Sequence, residues 1–423
     1  MCIPILALSK SLLPATVAAA LLSAAALIAT PALADDPAPD QAPGQRFTVT
    51  PDQLPRPYAT DAVANASQAI DRPDPPPFRL PAGFSVNLFA DGLDNARWLA
   101  VAPNGDVFLA EAGAGKVTLL RDADGDGRAE LKSTYASGFR DVHGMAFQGD
   151  WLYVSDSKRV WRLPWHAGAT QAGGPRQPVT AAGALGNGEG HGTRILLFSR
   201  DGKRLFVADG SESNLDEAPS PRASIQSFAP DGSDQQTYAS GLRNPVGIAL
   251  YPGTDDLYAV VNERDGLGDG LVPDYLTRVA PGGFYGWPYA YIGQHVQPDF
   301  HQRPDLVAKA IVPDLLFQSH SAPLGLVFYE GSQFPAEYRG SAFVALHGSW
   351  NSSKPTGYKV VRVPFRDGRP AGYYENFLTG FWSAGSQTAE VWGRPVGLAV
   401  AADGSLLVAD DVGNVVWRVS YRK

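Results

Sequence analysis

Histidine and arginine recur beside glycine in this sequence at points where a turn alone would need neither. His191 stands between two glycines in GEGHGTR (188–194), with Arg194 three residues on. Asn95-Ala96-Arg97, Asp141-Val142-His143, Leu242-Arg243-Asn244 and Trp392-Gly393-Arg394 repeat the theme. A neutral imidazole accepts protons near physiological pH, and a guanidinium is a fixed donor to anionic groups. A second chemistry is offered by DADGDGRAE (122–130). Asp122, Asp124 and Asp126 with Gly127 match the first half of an EF-hand-type calcium loop, but its twelfth position is Ser133 in place of Glu. A calcium ion and a plain acidic turn both remain open readings there.

The elements that must position these groups come from a repeat. WLAVAPNGDVFLAE (98–111), HGMAFQGDWLYVSD (143–156), TRILLFSRDGKRLFVADG (193–210), VGIALYPGTDDLYAVV (246–261), LGLVFYEG (324–331) with GSAFVALHGSW (340–350), and VGLAVAADGSLLVADD (396–411) share one pattern. Each is an alternating strand, a Gly/Asp turn and a second strand, which is a hairpin signature. The first strands end at Val101, Phe147, Phe198, Leu250, Phe328 and Val400, spaced by 46, 51, 52, 78 and 72 residues. A four-stranded propeller blade takes about 40–50 residues. The repeat therefore predicts an all-β chain folded as a six-bladed β-propeller over residues 80–423, with inserted loops in the two long intervals. In that fold the His/Arg positions precede the innermost strands and gather at one mouth. Cations converging there imply an anionic ligand.

Composition agrees and excludes alternatives. The 45 Gly and 35 Pro among 423 residues suit many short elements. A net charge of −8 argues against a nucleic-acid partner. Residues 11–30 are apolar and Ala-rich, follow Lys10 and run into Ala32-Leu33-Ala34, so residues 1–34 read as an export signal, with a retained anchor as the alternative. Cleavage predicts a periplasmic or secreted protein without stable membrane insertion. The single cysteine, Cys2, lies in that segment, so the mature chain has no disulfide and no covalent haem site. Residues 35–79, rich in Pro, Ala and Asp, read as a disordered or loosely attached arm. No Gly-rich strand-to-helix turn for NAD is present.

The segments GHGTRILLFSRDGKRLFVADG, GLRNPVGIAL, GGFYGWPY, HGSWNSSKPTGYKVVRVPF and GRPVGLAVAADGSLLVADD resemble the soluble glucose/sorbosone dehydrogenases, propeller quinoproteins that use pyrroloquinoline quinone (PQQ) with calcium. The resemblance implies that His191 is the base taking the substrate hydroxyl proton and Asp209 the carboxylate orienting it. It implies that Arg243 and Asn244 meet the cofactor, with Arg243 near the quinone oxygen, and that Lys354 and Arg394 face its carboxylates. Lys359 competes with Lys354 for that role. Trp392 stands where the family has a further arginine. Asp265 and Gly266 of NERDGLGDG would hold calcium through their carbonyls. His143 is a rival base or a cofactor contact, and His347 is expected to line the mouth. His166, His295, His301 and His320 read as surface or loop residues.

The expected activity is oxidation of an aldose or sorbosone-like sugar, with electrons leaving to an external acceptor. The sequence leaves monomer and homodimer equally open. The competing readings are a calcium-dependent propeller lactonase and a non-catalytic sugar-binding propeller that stacks pyranose rings on Trp98, Trp287 or Trp350.

Overall fold

Glycines in the left-handed region close the short turns. In the computed structural model, which describes residues 38–422, Ala102 N–H donates to Asp106 O at 2.8 Å and Gly105, at φ +90°, donates to Ala102 O at 2.9 Å. The turn 401–405 repeats this with Gly404 at φ +85°. An L side chain at either position would be strained, so the PNGD and ADGS sequences fix these hairpins and their register.

Among the described residues six sheets of four or five strands result, antiparallel except where Gly283–Phe284 joins Gln236–Ser240 in parallel, with three smaller sheets beside them. Sheet I runs Ala96–Val101, Val107–Glu111, Lys116–Arg121, Leu131–Ser137. Sheet II runs Met145–Gln148, Trp151–Ser155, Val160–Pro164, Gln177–Pro178. Sheet III runs Arg194–Phe198, Leu205–Asp209, Ser224–Phe228, Gln236–Ser240, and sheet IV runs Asn244–Leu250, Leu257–Asn262, Pro273–Arg278, Leu315–Ser319. Sheet V runs Pro323–Phe328, Ala342–Leu346, Lys359–Val363, Tyr374–Leu378. Sheet VI takes Pro395–Val400, Leu406–Asp410 and Val415–Tyr421, and then Phe84–Ala90 as its outer strand. Phe84 pairs with Tyr421 and Ala90 with Val416. All six strand ends expected from the repeat fall in the first strands of these sheets. The long interval in sheet IV holds a small hairpin, Ala290–Tyr291 with His295–Val296, and the short helix Pro304–Val307.

First strands lie against one another in sequence, I on II through V on VI, and VI on I. Glycine makes this approach feasible. A Cβ on Gly144 would sit 2.2 Å from Arg194 O, on Gly247 2.6 Å from Leu324 O, on Gly325 2.2 Å from Val396 O, and on Gly397 2.5 Å from Arg97 O. The recurring V-G-[IL]-A motif is thus a packing requirement. Between sheets the core is apolar: Phe108, Val154, Ile225 and Val261 belong to one cluster, and Phe343, Trp392 and Trp417 to another. Each such buried side chain contributes about 1.5–3 kcal/mol from removal from water.

The arm differs from its expected disorder. Arg46–Phe47 pairs with Glu375 and Tyr374 as a fifth strand of sheet V, and Gln68–Ala69 pairs with Glu390 and Val391. Asn65 donates its side-chain amide to Ser352 O at 2.9 Å and Gln387 O at 2.7 Å, and its backbone N–H to Trp350 O at 2.7 Å. A proline-rich stretch lacks periodicity because it is held by backbone partners on both sides rather than by one apolar face. The expected signal, residues 1–34, lies outside the described residues. Among the described residues no helix is long and apolar enough to cross a membrane.

Candidate active site

His191 ends the loop that feeds the first strand of sheet III. Its Nδ1 lies 2.8 Å from Ser211 O and 3.1 Å from Ser211 Oγ, and its backbone N–H donates to Ser211 O at 3.0 Å. A carbonyl only accepts, so Nδ1 carries the proton and Nε2 keeps the lone pair. Burial, reinforced by the Arg243 charge, lowers the imidazole to about 4, so the ring is neutral at pH 7. The geometry yields a base with its acceptor nitrogen available.

Asp209 does not orient this histidine directly. It is fully buried and ion-pairs with Arg194 at 3.2 Å and Arg222 at 3.0 Å. Those guanidiniums donate to the His191 carbonyl at 2.7 and 3.2 Å, and Arg222 also donates to Ser211 O at 3.0 Å. Burial pushes the Asp209 carboxyl up to about 7 against the pull of both arginines. Asp209 therefore fixes the backbone that presents His191 and Ser211. The expected base–carboxylate contact fails because two arginines stand between.

Arg243 is buried beside this group. It donates Nε to Asn214 O at 3.1 Å, Nη2 to Asn214 Oδ1 at 2.9 Å and Nη1 to Glu263 O at 2.8 Å, and lies 3.7 Å from the Asp265 carboxylate. Asn244 is buried, and its Oδ1 has no hydrogen-bond partner. Asp265 accepts at its carbonyl from Asn214 at 3.0 Å and at its carboxylate from Asn351. Gly266 follows in an open left-handed conformation, φ +99°. His320, expected at the surface, is buried here: its Nδ1 lies 3.1 Å from Asn351 Nδ2 and 3.6 Å from Asp265. Burial lowers His320, but the Asp265 and Asp274 carboxylates outweigh it and the net shift is upward. Asn214 and Ser211 have no motif of their own in the sequence, and only the fold brings them in; Asn351 lies in HGSWN, but nothing there points to Asp265 or His320.

A second network links the other sheets. His347 Nε2 lies 3.0 and 3.1 Å from the two Asp411 oxygens, Arg97 Nη1 is 2.5 Å from Asp411, and Arg97 Nε donates to His143 Nε2 at 3.4 Å. Burial lowers His143 to about 3 and His347 to about 4. Arg394 donates to the carbonyls of His347 at 2.9 Å and Gly348 at 2.7 Å.

Two expected contacts are not made. Trp392 is core: it is 1 % exposed, donates to Gly380 O at 2.7 Å and stacks on Phe381 at 5.4 Å. Lys359 turns toward the arm, with Nζ 2.9 Å from Asp40 O and 4.3 Å from the Phe47 ring centroid, which removes it as a competitor. Lys354 is exposed on the loop following Trp350. Of the proposed stacking tryptophans, Trp98 and Trp287 are buried and Trp350 is 52 % exposed.

The acidic loop gathers Asp122, Asp124, Asp126 and also Glu130, with one oxygen of each within 4.8 Å of the others. Glu130 was missed because the EF-hand count pointed to Ser133, which lies in a strand and donates to Thr170 O. Asp122 accepts from the N–H groups of Gly125 and Gly127 at 2.7 and 2.9 Å.

Comparison with known proteins places this arrangement. The TrAA12-like family matches residues 78–272 and 299–422. The chain is 27% identical to an uncharacterized protein of Borreliella burgdorferi over 82% of this chain and 91% of that one. It is 28% identical to the pyrroloquinoline quinone-dependent pyranose dehydrogenase of Coprinopsis cinerea over 79% of this chain, and matches only 53% of that longer protein. Among solved structures, the holo PQQ domain of the Coprinopsis pyranose dehydrogenase superposes with TM-score 0.68 at 22% identity, covering 85% of this chain and 100% of that one. The PQQ-bound aldose sugar dehydrogenase of Streptomyces coelicolor gives 0.56 at 18% identity, covering 81% and 100%. These structures share the fold. The chain belongs to the TrAA12-like family.

Proposed function

We propose that this protein is a PQQ- and calcium-dependent dehydrogenase of aldoses or related sugars, built as a closed six-bladed propeller with its site at the mouth. The observation that carries the reading is the pairing of a neutral His191, its Nε2 free, with the buried Arg243 and Asn244 beside it. The buried Arg243 guanidinium supplies the positive charge that suits an anionic quinone, and the Asn244 amide oxygen, buried without a partner, is an acceptor whose cost of about 1–3 kcal/mol an N–H or O–H donor on a bound group would remove. Asn244, Arg243 and Arg394 are the residues that would hold the cofactor, with Lys354 reaching in from its exposed loop. The Asp265 and Gly266 carbonyls would hold calcium, a hard cation that prefers oxygen ligands. We assign a second, structural calcium to Asp122, Asp124, Asp126 and Glu130.

When bound, PQQ supplies a two-electron acceptor for the substrate hydride, and an external acceptor reoxidises it. His191 takes the substrate hydroxyl proton at Nε2, while Ser211 holds the protonated Nδ1 and so fixes the ring plane. Arg243 offers fixed N–H groups and positive charge where oxygen gains negative charge, in a site with little water to screen it. Export to the periplasm or medium rests on residues 11–34. The test is reconstitution of purified protein with PQQ and calcium, followed by dye reduction over a panel of aldoses. Stoichiometric PQQ uptake with sugar-dependent bleaching is expected. No uptake would overturn the reading and turn attention to lactone hydrolysis.

A further inference from the structure

The arm does more than cover a sheet edge. Between Pro55 and Asn65 it crosses the loop that carries Asp265, and it is seated there by specific contacts. Tyr58 N–H donates to Leu267 O at 2.9 Å, and Asp269 N–H donates to Thr60 Oγ1 at 2.8 Å. The loop is cut to receive it. A Cβ on Gly268, which sits at φ +102°, would lie 2.7 Å from Thr60 O, and one on Gly270 would lie 2.6 Å from Pro55 Cγ. The same loop is tied to the one after Trp350, since Asp269 accepts from Ser353 N–H at 2.9 Å and from its hydroxyl. Asn65 then fastens the arm to Trp350 O, Ser352 O and Gln387 O.

These three segments border an open pocket of about 320 Å³. Ala62, Val63 and Ala64 of the arm line it together with Asp265, His320 and Trp350. Its volume is at the lower end of small-molecule pockets, room for about one sugar ring. Its lining combines an exposed indole, an apolar stretch of arm and hydrogen-bonding groups, the composition a pyranose with one apolar face and a rim of hydroxyls requires. Asn214, which also lines it, is bonded to the Arg243 guanidinium at 2.9 Å, so the cavity adjoins the group that includes His191.

We propose that the arm is a specificity element: residues 62–64 form a wall of the sugar-binding cavity, and Val63, the half-buried one of the three, limits the bulk of the ring accepted beside Trp350. This rests on the sugar-oxidising reading above. The test compares wild type with Val63→Phe and Val63→Ala, each loaded with PQQ and calcium, using D-glucose and cellobiose as probes. PQQ uptake followed by absorbance should be the same in all three. Val63→Phe should raise KM for glucose about tenfold, with a smaller change in kcat. Val63→Ala should narrow the preference for glucose over cellobiose. An unchanged KM in Val63→Phe with unchanged selectivity in Val63→Ala overturns the proposal. If wild type takes up no PQQ, the function reading fails by itself. Calorimetric titration of both sugars into the unloaded protein then decides: binding weakened in Val63→Phe supports the wall, and equal or absent binding refutes it.

Discussion

Two groups of buried and half-buried histidines sit at the ends of these sheets, and they differ in which nitrogen is occupied. On the sheet III side, His191 gives Nδ1 to Ser211 and leaves Nε2 without a protein partner in the same network. Across from it, His347 has Nε2 tied to Asp411, and His143 has Nε2 accepting from Arg97. All three rings are lowered by burial and neutral at pH 7. Neutrality alone therefore does not distinguish a base from a structural imidazole. The lone pair of His143 is already engaged by a guanidinium, which sets it apart from His191; His347 gives its Nε2–H to a carboxylate and keeps its lone pair on Nδ1, the opposite tautomer to His191.

The sharpest way to break this contrast is deletion of each ring. His191→Ala should lower kcat by about 10²–10⁴-fold while leaving PQQ uptake measurable, and His143→Ala should cost about tenfold or less. Equal losses would collapse the distinction. Asp411→Asn attacks the other side. Burial pushes the Asp411 carboxyl up, but His347 and Arg97 outweigh this and hold it well below the usual range. Removing that charge strands Arg97, and denaturant unfolding should show a loss of about 3 kcal/mol.

The pH dependence separates proton transfer from folding. Because His191 is held at about 4, kcat/KM should keep its base form well below the ordinary histidine value near 6.5 and fall only as pH drops toward 4. For stability the sign is also set by depression: the unfolded chain binds protons at these histidines near pH 6.5 and the folded chain does not, so stability declines as pH falls from about 6.5 toward 4. An acid limb of kcat/KM near 6.5 would contradict the buried, Arg243-flanked setting. The smallest effect is expected from Ser211→Ala, which removes the hydroxyl but leaves the carbonyl at 2.8 Å; kcat should fall by less than about tenfold.

Much of the scaffold was readable from residue order, because alternation and glycine turns act over a few residues. The six first strands follow from that local grammar. The partners of the site did not. Asp410 and Asp411 are adjacent, yet Asp410 caps Arg394 N–H and Gly413 N–H at 2.8 Å while Asp411 faces His347 and Arg97. Asp410 ends its strand and Asp411 begins the turn after it, so they face different surroundings, but that His347 and Arg97 meet Asp411 depends on sheets 64 and 314 residues away. His320 was missed for the same reason: its neighbours Asp265 and Asn351 come from distant loops. Trp392 misled because alignment position says nothing of side-chain direction, and the indole points into a cluster with Phe381 and Trp417.

The sharing of sheet VI between Phe84–Ala90 and Val415–Tyr421 has a consequence for how the chain folds. A pairing that spans more than three hundred residues closes a very long loop, and such contacts are among the slowest to form. Until residues 415–421 have emerged, Phe84–Ala90 has no neighbour and sheet VI has an open edge, the kind of surface that pairs with other chains. Completion of sheet VI only after residues 415–421 have emerged is what this arrangement imposes.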